Sequence, residues 1–165
     1  MLDLSPFAAL PDEARLWLYG ARAPLSAAQV AVVGRRLAEF VAGWQAHRQP
    51  VHSAFSVVAA RFLVLAGHCP TGLSGCGIDA SVRVLKQLQA ADGIDLLARH
   101  LVYYQHGADV VAAPRAEFAR LVAAGTVGPE TIVFDTTLTA LGALRQGGFA
   151  VPLARSWHRE LAAAS

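Results

Sequence analysis

The sequence predicts one α+β domain, a mixed, largely antiparallel sheet packed with about four helices. Three observations lead there. A chain of 165 residues is the size of a single domain that can bury a core without covalent staples. Its composition, 55% hydrophobic and 16% charged, is too apolar for a disordered segment. Apolar runs of strand length then alternate with stretches of helical period across short connections, in the order β-α-β-β-α-β-β-α-β-α. The expected domain spans residues 1–165, with a seam between two sub-modules at Asp92-Gly93.

Arg15-Leu16-Trp17-Leu18-Tyr19-Gly20 reads as a short strand closed by glycine. Ser26 opens a helix, with Gln29 three residues on completing a capping box. Val30, Val33, Leu37, Phe40, Val41 and Trp44 keep the period of a helix that buries one face, and His47 to Pro50 ends it. The apolar stretch from Val51 to Gly67 is long for one strand and divides into two, turning near Ala59-Ala60. A loop rich in Gly and Cys follows, then a helix from about Asp79 to Ala90. A short helical turn through Ile94 to Arg99 leads into a strand at Leu101 to Tyr104, and His106-Gly107 turns the chain into Asp109-Val110-Val111. Pro114 suits the first position of the next helix and Gly125 its C-terminal cap, with Phe118, Leu121 and Val122 as the apolar stripe. Thr131 to Phe134 is a strand and Leu138 to Arg145 the last full helix, after which Trp157 and Leu161 pack the tail onto the body.

Composition also excludes function classes. The longest apolar run, Ala54 to Gly67, is interrupted by Arg61 and falls short of the roughly 18 residues a membrane span needs. Asp3, Asp12 and Glu13 occupy the N-terminal stretch without a basic region, so no signal peptide is expected. A cytoplasmic protein is the resulting expectation. Thirteen arginines stand against the single Lys86, but they are spread along the chain and give no nucleic-acid footprint. Two cysteines in such a chain make no disulfide framework, although they can form a reversible pair. The low charge density makes a homodimer a reasonable expectation.

The segment Gly67-His68-Cys69-Pro70-Thr71-Gly72-Leu73-Ser74-Gly75-Cys76-Gly77-Ile78-Asp79 holds both cysteines between a strand and a helix. Free backbone N–H groups and a thiol at a helix start can bind an anion or lower a cysteine pKa. A phosphate-binding P-loop fits the Gly spacing, but Leu73 replaces the lysine that contacts the β- and γ-phosphates. A cysteine-phosphatase loop fits His68-Cys69, but Gly75 stands where the phosphate-clamping arginine belongs. A third reading takes Cys76 as a reactive thiol, flanked by Gly75 and Gly77, with Ser74, Asp79 and Ser81 orienting a ligand or capping the helix; the Asp79 carboxylate opposes thiolate formation. His68, Cys69 and Cys76 lack a fourth ligand for zinc, so no metal is expected, and no cofactor is implied. Against all of these stands a tight turn capped by Ser74 or Asp79, with Cys76 packed as a small hydrophobe.

Elsewhere, Asp135-Thr136-Thr137 after a strand reads as a helix N-cap, or as a polar cluster facing the Cys76 loop. Trp157-His158 reads as a packing anchor beside an exposed imidazole, with His158 also a candidate base for a cysteine nucleophile. His47, His52, His100 and His106 show no metal spacing.

Three segments carry a resemblance: Leu73-Ser74-Gly75-Cys76-Gly77-Ile78-Asp79-Ala80-Ser81-Val82, Thr131-Ile132-Val133-Phe134-Asp135, and Val151-Pro152-Leu153-Ala154-Arg155-Ser156-Trp157-His158. They are similar to those of an uncharacterised bacterial protein family, common in Bacteroidetes and sometimes labelled "ABC transporter ATPase". The likeness runs in element order from Trp17 to His158. Cys76, Asp79, Ser81 and His158 match that family's pattern. Gly77 and Ala80 replace serines and Asp135-Thr136 replaces a pair of asparagines, which thins the hydroxyls and amides available to a ligand. The resemblance implies no established activity, and its transporter label conflicts with the missing Walker lysine and the missing ABC signature. A second likeness, from Tyr103 to Asp135, is to GYF-like modules, which bind proline-rich peptides; their Gly-aromatic-Phe signature is absent here.

Two classes of function follow. One is a protein that binds a small anionic or phosphorylated ligand at the Gly75-Cys76-Gly77 helix start through Ser74, Gly75, Gly77, Asp79, Ser81 and Asp135, with Cys76 and His158 as candidate catalytic groups. The other is a non-catalytic interaction or structural protein in which the loop is only a turn.

Overall fold

The computed structural model describes residues 2–73, 75–98 and 100–163, with the side chains of 75–78 and 162–163 outside that description. The chain is α+β, with strands in two principal antiparallel sheets and a small ribbon. Strand β1 (Arg15–Gly20) precedes helix α1 (Ala27–Gly43) and the two-residue strands β2 (Gln45–Ala46) and β3 (Gln49–Pro50); β4 (His52–Val58) and β5 (Phe62–His68) then form a hairpin. Helix α2 (Gly75–Asp92) leads to the hairpin β6 (Leu101–His106) and β7 (Asp109–Pro114), then α3 (Arg115–Ala123) and β8 (Ile132–Phe134). Helix α4 (Leu141–Arg145), β9 (Ala150–Pro152) and α5 (Arg159–Ala163) complete the chain. The first sheet runs β1-β5-β4 and the second β7-β6-β8-β9, and each named pairing is antiparallel.

Side-chain alternation explains how these parts stack, because successive residues of a strand face opposite sides. In β5, Leu63 and Leu65 join the cluster under α1 and α2. Phe62, Val64 and Ala66 face the other way, into a cluster shared with Tyr103, Leu141 and Phe149. In β6, Tyr103 looks back into that shared cluster, while Val102 and Tyr104 pack with Phe118 of α3. The layers are therefore helices, sheet, sheet and helices. A strand covered on both faces has to be apolar throughout, and Phe62 through Gly67 are all buried. The inter-sheet core is aromatic, with Phe62 centred 5.0 Å from Tyr103 and 5.1 Å from Phe149.

Local signals form as their chemistry dictates. Ser26 and Gln29 make a reciprocal capping box at α1. Ala59 and Ala60 turn β4 into β5 with φ of 51° and 47°, the positive pair that tight hairpin turns demand. Gly125, at φ 73°, ends α3 in a Schellman motif, with Thr126 N–H donating to Leu121 and Gly125 N–H to Val122.

Other elements differ from expectation. Helix α2 starts at Gly75 rather than near Asp79, so the Gly/Cys loop is shorter than its composition suggests. Residues 94–98 are irregular; Ile94 and Leu96 reach the core without a helix. Pro114 is the cap residue before α3, one position earlier than expected. The last full helix is only Leu141–Arg145, because Thr139 and Ala140 instead pair with the edge of β1. After α1 the chain turns through the β2–β3 ribbon, with His47 and Arg48 at positive φ. None of the described helices is long and apolar enough to cross a membrane.

Candidate functional site

Strand β1 ends against β6 at one margin of the two sheets, and the side chains there do not close over each other. A cleft of about 370 Å³ remains. Leu18, Tyr19 and Gly20 of β1 form one wall, and Val82 of α2 with Leu96 and Leu97 a second. Ala98 and His100 before β6, Leu101 and Tyr103 of β6, Thr136 and Thr137 after β8, Arg115 at the start of α3, and Trp157-His158 complete it. Apolar walls with a few polar tips are the usual make-up of a small-molecule site.

The polar groups differ in how far they are satisfied. The Tyr103 hydroxyl donates to the Gly20 carbonyl at 2.6 Å, and burial pushes its pKa up to about 12, so it is a fixed donor with a committed proton. Burial also raises the Tyr19 phenol, offset by its hydrogen bond with Ser81. Imidazole His158 is 3% exposed and stacks on Trp157 with ring centroids 4.0 Å apart. Its Nδ1 lies 2.7 Å from Ser156 Oγ. Burial lowers the His158 pKa, the Asp135 carboxylate opposes that, and the Arg115 charge adds to it. The ring is therefore neutral at neutral pH.

Trp157 is the exception among these groups. Its Nε1 is buried and has no hydrogen-bond partner among the described residues. An unmatched buried donor costs roughly 1–3 kcal/mol, and such atoms are uncommon in folded proteins. The exposed guanidinium of Arg115 lies over the same ring, 5.6 Å from its centroid. Arg115 is the one cleft-lining residue with a fixed charge among those described.

The sequence-derived candidates distribute unevenly around this cleft. Ser74 lies outside the described residues, as does the side chain of Cys76; the backbone of Gly75, Cys76 and Gly77 forms the first turn of α2. Asp79 is exposed and lines a shallow depression with Val82, Arg83 and Lys86 rather than the cleft. Ser81 is 2% exposed and hydrogen-bonds Tyr19, so it shapes the wall from behind. Asp135 caps no helix; its Oδ1 accepts from Thr137 N–H at 2.8 Å and Thr137 Oγ1 at 2.6 Å. That closed turn presents Thr136 and Thr137 to the cleft. His158, expected as an exposed imidazole, is buried. Cys69 is a buried free thiol 3.2 Å from Thr71 Oγ1.

The segments holding Val82, Asp135 to Thr137, and Trp157-His158 thus converge on one space, although they lie far apart in sequence. Sequence reasoning missed Arg115 and the two tyrosines. Tyr19 and Tyr103 read only as strand aromatics, and nothing local to Arg115 indicates that α3 begins over Trp157. Among the described residues no group of three His, Cys, Asp or Glu side chains is arranged to hold a metal ion. Compared with protein families, curated proteins and solved structures, the chain matches none of them.

Proposed function

We propose that this chain is a small-ligand-binding protein whose site is the cleft between the two sheets, and that its ligand joins a flat apolar body to one carboxylate-like group. The unpartnered Trp157 indole N–H carries the reading. It is a buried donor whose ring lies beneath the Arg115 guanidinium and against the His158 imidazole, and a ligand acceptor that reaches it would complete it. Leu18, Val82, Leu96 and Leu101 offer the apolar body a surface, while Arg115 and Trp157 Nε1 receive the anionic group. The resemblance is in keeping with this, since two of its motifs end in cleft-lining residues, Val82 and Trp157-His158, and the third ends one residue before Thr136. Membership of that bacterial family, a cytoplasmic setting and a homodimer belong to the same proposal. The free Cys69 thiol fits the second, and a sedimentation mass tests the third.

Titration calorimetry with benzoate, and with neutral benzamide as control, tests the reading. Benzoate should bind and benzamide should bind at least about tenfold more weakly, the difference between a charge-assisted and a neutral hydrogen bond. Trp157→Phe and Arg115→Ala should each weaken benzoate binding with no change in fold. Equal binding of the two probes, or binding indifferent to both substitutions, would favour the non-catalytic interaction protein instead.

A further inference from the structure

Arg61 presents a second unmatched group, outside the cleft. Its side chain is 4% exposed, yet no carboxylate lies within ion-pair distance of it among the described residues. Burying a guanidinium is costly unless hydrogen bonds replace its water and a counter-charge is near. Only part of that requirement is met. Nη1 donates to the carbonyls of Ala21 at 3.0 Å and Arg22 at 2.9 Å, which fixes the plane of the group where the chain leaves β1. Nε and Nη2 find no acceptor among the described residues, and neither is sealed from solvent. Arg61 lines a pocket of about 620 Å³ where the β4–β5 turn, the exit of β1 and the β6–β7 hairpin converge. Pro24, Ala59, Val110 and Val111 give it apolar walls, and the exposed Asp109 stands on the hairpin side.

We propose that Arg61 anchors a separate site for a small aliphatic carboxylate. Nε and Nη2 form one edge of a planar fork, which matches the two oxygens of a carboxylate. The backbone carbonyls hold that fork in advance, so little side-chain entropy is lost on binding. The apolar walls suit a short hydrocarbon chain rather than a phosphate, whose second charge would have no partner. Asp109 opposes the ligand from the rim and sets its affinity below what Arg61 alone would give. This proposal does not rest on the inter-sheet cleft.

The test is a titration of the Arg61 Nε–H resonance in the whole protein, assigned through Arg61→Lys, with hexanoate and with hexanol as the neutral probe. Hexanoate should move the resonance saturably and hexanol should leave it in place. Asp109→Asn should tighten hexanoate about threefold at low salt by removing a rim charge. Arg61→Lys should weaken it about tenfold, because an ammonium cannot replace the fork. Trp157→Phe should leave the shift intact. An unmoved Nε–H at high millimolar hexanoate, or equal shifts with hexanol, overturns the proposal. Should Arg61→Lys fail to fold, Asp109→Asn still decides, since unchanged or weaker binding contradicts the assignment.

Discussion

Tyr103 and Trp157 both line the cleft between the sheets, and both carry a polar tip on an aromatic ring, but only one tip is matched. Tyr103 is 2% exposed, packs edge-on to Phe62 and donates its hydroxyl to Gly20. Trp157 stacks on His158 beneath Arg115, with its indole nitrogen unpartnered among the described residues. The tyrosine is at the seam that joins the sheets, where an unsatisfied hydroxyl would weaken the whole body. The tryptophan stands on the short C-terminal segment before α5, and its indole nitrogen is buried without a partner among the described residues. Satisfied polar groups mark what holds this fold together, and under the proposed function the unpartnered indole is where a ligand acceptor belongs.

The largest way to break that contrast is at the seam. Phe62→Ala removes a fully buried ring that touches Tyr103, Phe134 and Phe149. It should cost about 4 kcal/mol of stability by urea unfolding, with both sheets melting together. Tyr103→Phe keeps the ring and removes only the hydroxyl, leaving the Gly20 carbonyl unmatched; the loss should be about 1.5 kcal/mol. Should Tyr103→Phe cost nothing, the distinction between the two tips fails.

Smaller effects sharpen the comparison. The native pKa of His158 lies below its unfolded value because burial disfavours the cation. Its contribution to stability is therefore fully present above the unfolded value of about 6.5, and is lost as pH falls from there through the native pKa. Urea midpoints should drop on acidification through that window, and His158→Gln should flatten the dependence. A control outside the comparison is Ala60, held at φ 47°, where Ala60→Gly should stabilise by about 0.5–1 kcal/mol because glycine carries no left-handed penalty.

Much of the fold was legible where the determinants are local. Ser26-Gln29, the Ala59-Ala60 turn, His106-Gly107 and Gly125 specify their geometry within four or five residues, and each does so here. Errors arose where tertiary contacts override local preference. Gly75 and Gly77 argue against a helix, yet α2 begins there. Ile94 and Leu96 have apolar spacing that suggests a helical turn, but they are drawn into the core from irregular chain. Strands as short as β2, β3 and β9 are defined by pairing and leave almost no trace in one segment. For the site, the sequence grouped Ser81, Asp135 and His158 around the Cys76 loop. That His158 lines a cleft with Arg115 and Trp157, with Ser81 and Asp135 behind its walls, depends on the stacking of two sheets, which no local pattern encodes.

The most direct test is the Trp157 indole N–H resonance, assigned with Trp157→Phe and followed during addition of benzoate. An unpartnered donor completed by a ligand should sit upfield in the free protein and move downfield, saturably, as the carboxylate accepts from it. Stability should change little on Trp157→Phe while benzoate binding weakens. A resonance already shifted downfield and indifferent to benzoate would mean that the indole is matched within the protein, and that the cleft is not the ligand site described here.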